Sequence, residues 1–166
     1  MAQSAPDATG SFPQVEAFRL GGFYHDAGVF GDSKEESGGA TLELRFREFD
    51  SDLMRAIGAP RLHVGLNAAE TTALYSGLTW LANLGRGFYV SGDLGLAVHS
   101  GKLQTSQSDR KELGSRVLFR LAAEVGYDVS PRVSLGVRLD HMSHATLLAD
   151  ENEGLDTLGL VATYRF

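Results

Sequence analysis

Three side chains near the end of this chain, His141, Ser143 and Asp156, are of the types that hydrolases use together: a hydroxyl nucleophile, an imidazole base and a carboxylate that orients the imidazole. Their spacing makes the combination geometrically reasonable. Residues i and i+2 of a strand share a face with Cα atoms about 6.5–7 Å apart, which brings His141 and Ser143 within reach of one another. Both continue a stripe formed by Val133, Leu135, Val137 and Leu139, while Ser134, Gly136, Arg138 and Asp140 take the other side. Asp156 has the parity of Leu158, Leu160 and Phe166, so a neighbouring antiparallel strand would present it on that same oily face. Polar groups on an apolar stripe are costly unless they lie at its rim or serve a purpose. The plainer alternative is that His141 and Ser143 only finish a strand where it meets polar surroundings.

Positioning these groups requires strands, and period-two alternation dominates the chain. Ala40, Leu42, Leu44 and Phe46 alternate with Thr41, Glu43, Arg45 and Arg47. Phe88, Val90, Leu94, Leu96 and Val98 alternate with Tyr89, Ser91, Asp93 and His99; Val117, Phe119, Leu121, Ala123 and Val125 with Arg116, Arg120 and Glu124. The segments fall at 15–24, 39–48, 60–68, 73–82, 87–98, 115–127, 132–144 and 156–166. Each is near the 9–11 residues that a tilted strand needs to cross a bilayer, and the number is even. Long polar connections at 25–38, 99–114 and 145–155 oppose short ones at 83–86 and 128–131, the arrangement of outer-membrane barrels. Two connections depart from this rule, the short 69–72 and the long 49–59. In the latter Leu53, Met54, Ala56 and Ile57 have helix-like spacing and suggest one amphipathic turn.

The expected fold is therefore all-β: an eight-stranded antiparallel transmembrane barrel over 15–166, preceded by a flexible N-terminus at 1–14 that reads as a mature start behind an added Met. Composition agrees. The chain has 166 residues, room for one domain, so any chemistry must be built into the barrel itself. No run approaches the roughly 18 apolar residues of a spanning helix. With 20 Gly, 4 Pro and no Cys, there is neither a disulfide framework nor a thiol nucleophile nor a cysteine zinc site. A net charge of −6 without a basic stripe argues against nucleic acid as a partner. Alternation alone leaves two orientations open, because a soluble lipocalin-like barrel has the same period with its oily face inward. Charges of both signs on the minority face (Glu43, Arg45, Asp93, Arg116, Arg120, Glu124, Arg138, Asp140) suit pairing inside a narrow lumen, and the closing Tyr164-Arg165-Phe166 resembles the end of outer-membrane barrels.

Residues 139–160, Leu-Asp-His-Met-Ser-His-Ala-Thr-Leu-Leu-Ala-Asp-Glu-Asn-Glu-Gly-Leu-Asp-Thr-Leu-Gly-Leu, resemble the PagL lipid A 3-O-deacylase family, whose pattern is His-x-Ser-Asn-Ala, a short loop, then Asn-x-Gly-x-acid. The stretches at 25–31, 75–80 and 113–120 are similar to that family as well. The resemblance implies an outer-membrane barrel that removes the 3-O-linked acyl chain of lipid A, with lipopolysaccharide and membrane lipid as partners and no cofactor. It leaves open whether the protein is a monomer or a homodimer. Carried over residue by residue, it assigns the nucleophile to Ser143, the base to His141 and the acid to Asp156, in place of the family's glutamate. Glu153 is the reserve acid. His144 and Thr146 stand where the family's asparagine and a glycine help to hold the oxyanion; losing one such donor costs about 10²–10³ in rate. Two further readings are a catalytically weakened or non-enzymatic barrel and the soluble ligand-binding one.

Four weaker signals complete the sequence. His141-x-x-His144 invites a metal, but i and i+3 on a strand face opposite ways, so no metal site is expected. Asp150, Glu151 and Glu153 form an acidic loop that would bind a cation or simply be solvated. His25, His63 and His99 are expected in loops or lumen, and Lys102, Arg110 and Lys111 either meet anionic head groups or serve solubility.

Overall fold

A computed structural model describes residues 14–144 and 153–166 of the chain. Its elements are β1 (Val15–His25), β2 (Ser37–Phe46), α1 (Asp52–Ala56), β3 (Arg61–Ala68), β4 (Ala73–Gly85), β5 (Phe88–His99), β6 (Val117–Asp128), β7 (Val133–Ser143) and β8 (Leu155–Arg165). The eight strands close into one antiparallel barrel in sequence order. Closure is made by β1 against β8, from Ala17 opposite Arg165 to His25 opposite Thr157. The eight segments read from alternation are the eight strands. The chief difference in bounds is at β4, which runs on to Gly85 through a bulge and turns at Arg86 and Gly87, both left-handed (φ 54° and 86°).

The oily face points outward. Leu42 is 43% exposed and Leu160 68%, while Glu43 and Arg19 between such residues are 1% and 0% exposed. This overturns the soluble lipocalin-like alternative, which needs the apolar side chains inside. No helix of the described residues is long and apolar enough to cross a membrane, and the crossing is made by strands.

The interior is a paired charge network. Arg19 donates to Glu43 (2.6 Å) and to Thr163 (2.9 Å) and also pairs with Glu124. Arg138 donates to Glu43 (2.9 Å) and pairs with Asp93, and Arg120 donates to Asp140 (2.8 Å). A buried ion costs several kcal/mol unless its partners replace water, and here each of these arginines meets at least one carboxylate. Two tyrosines brace the network: Tyr75 donates to Glu43 (3.1 Å) and Tyr89 to Glu124 (2.7 Å). Each ring packs directly against a glycine. A Cβ at Gly65 would stand 2.4 Å from Tyr75 Cζ, and one at Gly126 2.2 Å from Tyr89 Cζ, so no larger residue fits beneath either ring.

The long connection at 49–59 does contain a helical turn. Ser51 caps it by accepting from the Met54 N–H (3.2 Å), and it ends where Gly58 and Ala59 take left-handed conformations (φ 93° and 50°). It is tied to the outer wall by Trp80, whose Nε1–H donates to the Ile57 carbonyl (2.8 Å).

Candidate active site

The ladder between β7 and β8 sets His141 directly opposite Asp156. The two chemical groups named from parity thus meet across one strand pair, with Ser143 two residues further along β7. In the tautomer protonated at Nδ1, His141 donates to Asp156 Oδ1 (2.6 Å) and Nε2 accepts from the Ser143 hydroxyl (3.0 Å). The second carboxylate oxygen, Oδ2, accepts the main-chain N–H of Phe30 at 2.7 Å. Hydroxyl, imidazole, carboxylate and amide form one continuous chain, and the carboxylate has a partner on each oxygen.

The histidine and serine sit on the outer face where β7 meets the long loops. They border a groove of about 480 Å³ walled by Phe30, Leu121, Ala123, Leu139 and Gly154. The groove lies on the outer wall, beside the apolar belt, and opens sideways rather than into the lumen. Asp156 shares the outward parity of Leu158, which is 45% exposed, yet is itself only 3% exposed. The β1–β2 loop (26–36) covers it. Phe30 also packs the edge of its ring on His141, with centroids 5.2 Å apart and planes at 73°. On the other side Gly154 (φ 65°) passes so close that a Cβ there would be 3.1 Å from His141 Cε1.

Glu153, the reserve acid, is engaged elsewhere: it pairs with Lys34 and accepts the Glu112 N–H at 2.6 Å. Its carboxyl is held below the ordinary range, with burial opposing and the Lys34 and Glu112 donors prevailing. His144 is entirely buried and is not among the residues that line the groove beside Ser143. Thr146, Asp150 and Glu151 lie outside the described residues. Lys111 and Arg110 differ from the head-group expectation: Lys111 is buried with Nζ 3.2 Å from Asp26, and Arg110 pairs with Glu70. His25, His63 and His99 are all buried within the barrel, as anticipated.

Phe30, Asp26 and Lys34 were not assigned roles from the sequence. Their contributions run through main-chain amides and loop contacts, which leave no residue-type signature. The one available signal was the 25–31 stretch, where a left-handed Asp26 (φ 55°) and Gly28 (φ 63°) mark a structured loop.

The sequence profile described as lipid A 3-O-deacylase (PagL) matches residues 47–165. No curated protein sequence matches the chain at a significant level. In fold the chain is similar to the outer membrane enzyme PagL, at 18% identity over 90% of this chain and 99% of that one, with a TM-score of 0.67. It is also similar to Neisserial surface protein A (14% identity, 90% and 96% covered, TM-score 0.57). A third similar structure is a de novo designed transmembrane β-barrel (13% identity, 93% and 98% covered, TM-score 0.54). At such identities the structural likeness speaks for the barrel, whereas the profile covers most of the chain, including every strand from β3 to β8. With an apolar outer wall, eight closed strands and that profile, the chain belongs to the lipid A 3-O-deacylase (PagL) family of hydrolases and is a barrel of the bacterial outer membrane.

Proposed function

We propose that the protein hydrolyses the 3-O-linked acyl ester of lipid A with Ser143 as nucleophile, His141 as general base and acid, and Asp156 as the group that orients His141. The observation that carries this reading is the hydrogen-bonded chain Ser143–His141–Asp156 at the mouth of a groove on the lipid-facing wall. Ser143 Oγ attacks the acyl carbonyl while His141 Nε2 takes its proton, and the tetrahedral oxyanion collapses with His141 returning that proton to the departing lipid A hydroxyl. Water then attacks the acyl-serine by the same route, freeing the fatty acid and restoring the hydroxyl. Asp156 keeps the imidazole in the tautomer that can accept from serine and stabilises the imidazolium that forms. No step calls for a cofactor.

Incubating purified lipopolysaccharide with the refolded barrel and following lipid A by mass spectrometry tests this. Ser143→Ala and His141→Ala should each abolish release of the 3-hydroxy fatty acid while heat-modifiable migration shows the barrel intact. Full activity in either variant refutes the assignment.

One observation favours a second reading, a weakened enzyme. His144 replaces the family's asparagine and its side chain is buried. His144→Asn accelerates a weakened parent by about 10²-fold, the scale of one oxyanion donor, and leaves a fully active one unimproved.

A further inference from the structure

The β1–β2 loop carries the argument beyond the three groups already assigned. Asp156 faces outward by parity, into a region where its neighbours meet lipid, and a carboxylate left there would have one oxygen on His141 and the other without a donor. The loop supplies that donor. The Phe30 N–H reaches Oδ2 at 2.7 Å, and the Ala27 N–H, 2.9 Å from the Asp156 carbonyl, extends the β1–β8 ladder one step so that the loop leaves the barrel at the right height.

What holds Phe30 in place is a small internal frame. Asp26 Oδ2 accepts the N–H groups of Lys34 (2.6 Å) and Glu35 (2.9 Å), closing the loop on itself, and Ser33 Oγ donates to the Asp26 carbonyl. Asp26 Oδ1 faces Lys111 Nζ from the β5–β6 connection, and Lys34 Nζ pairs with Glu153 just before β8. The loop is thus pinned to both of its neighbours. Its apex presents Phe30, 66% exposed, whose ring edge abuts His141 and forms one wall of the groove.

We propose that Phe30 is a positioning residue of the hydrolytic site, its amide fixing the rotamer of Asp156 and its ring that of His141, and that Asp26 acts through it by holding the loop closed. The proposal rests on the triad reading above. Small misplacements of catalytic groups cost about 10²-fold in rate, and a loop able to drift allows the carboxylate to turn from the imidazole. Because the Asp26 frame touches neither the groove nor the ester, its loss falls chiefly on kcat, whereas truncating the Phe30 ring, which also walls the groove, raises KM as well.

Deacylation kinetics of Asp26→Ala and Phe30→Ala, each alone and combined with Asp156→Ala, test it in folded barrels identified by heat-modifiable migration. Expected are kcat losses of about 10-fold to 10²-fold for Asp26→Ala, which frees the loop, and for Phe30→Ala, which removes the ring but keeps the amide, near-parent rates for Phe30→Tyr, which keeps both, and a diminished loss when Asp26→Ala is added to Asp156→Ala. Parent-like kcat in Asp26→Ala and Phe30→Ala overturns the proposal. So does an Asp26→Ala loss that multiplies undiminished in the Asp156→Ala background, since that would come from general damage rather than from the acid. Should Asp26→Ala not fold, Phe30→Ala against Phe30→Tyr decides alone, because neither touches the loop frame. A Ser143→Ala control separates the failures: dead Ser143→Ala with unaffected loop variants sinks only the role of Phe30, whereas an active Ser143→Ala sinks the triad itself.

Discussion

Aspartate is one methylene shorter than the glutamate of the family pattern, and the ladder explains how it still reaches His141. His141 and Asp156 are cross-strand partners, so the carboxylate needs only to lean along the strand to meet Nδ1 at 2.6 Å. A glutamate on the same Cα has an extra carbon to accommodate between the imidazole and the Phe30 amide. Asp156→Asn keeps the shape but puts a donor where Nδ1–H needs an acceptor, and favours the wrong tautomer. Its kcat for lipid A deacylation should fall by about 10⁴, the effect of this change in serine hydrolases generally. Asp156→Glu should recover part of that loss, since charge and acceptor return while the fit to Phe30 does not. An Asp156→Asn enzyme at parent rate would show that the imidazole is oriented by something else. His141, Ser143 and Asp156 were legible in the sequence because outward parity is a local property of each strand. Phe30 was not, because a main-chain N–H belongs to every residue alike.

Among the elements, the strands were the most legible. Alternation in β2, β5 and β6 encodes directly which side chains enter the lumen, and each segment read that way is a strand. The loops were less so, because their burial depends on partners far away in sequence. Lys111 reads as a soluble surface residue, yet it lies inside, facing Asp26 and lending its own N–H to Glu35 at 3.0 Å. Glu35 also accepts from the Thr71 hydroxyl (2.7 Å) and lies 3.6 Å from His25. Burial pushes its carboxyl up, but the His25 interaction and these two donors outweigh that and hold it down at about 2, against an ordinary 4.5. A depressed carboxyl contributes stability that is complete above its ordinary value and is lost as pH falls toward the folded one. Docking of the β1–β2 loop on the β5–β6 connection should therefore weaken between about pH 4.5 and 2. Hydrogen exchange across 26–36 and 108–114 should rise over that window, and Glu35→Gln should show raised exchange already at neutral pH. Unchanged exchange in Glu35→Gln would mean the loops are held by other contacts.

For the whole molecule, the lumen is filled with Arg19, Arg45, Arg120 and Arg138 interleaved with Glu43, Asp93, Glu124 and Asp140, four charges of each sign, all buried. Tyr75 and Tyr89 seal the network across the bore. A lumen so filled is expected to leave no continuous water path, so reconstituted barrels in a planar bilayer should pass no steady ionic current; discrete conductance steps would contradict this. Removing one arginine takes a charge partner from acids that stay buried and keep only part of their pairing, a loss of up to about 3–5 kcal/mol. Arg19→Met should accordingly lower the temperature of the heat-modifiable transition more than Leu160→Ala on the outer wall does, reversing the ranking expected of a soluble protein.

The sideways opening of the groove has a kinetic consequence. A site reached only through the leaflet encounters its substrate by diffusion in two dimensions, so the quantity that governs turnover is the fraction of neighbouring lipids that carry the scissile ester. Diluting lipopolysaccharide with inert phospholipid at constant total amount should slow the reaction, whereas adding more vesicles of unchanged make-up should not. Both products are amphiphiles, so a fatty acid shed into that same sheet should compete for the furrow until it disperses.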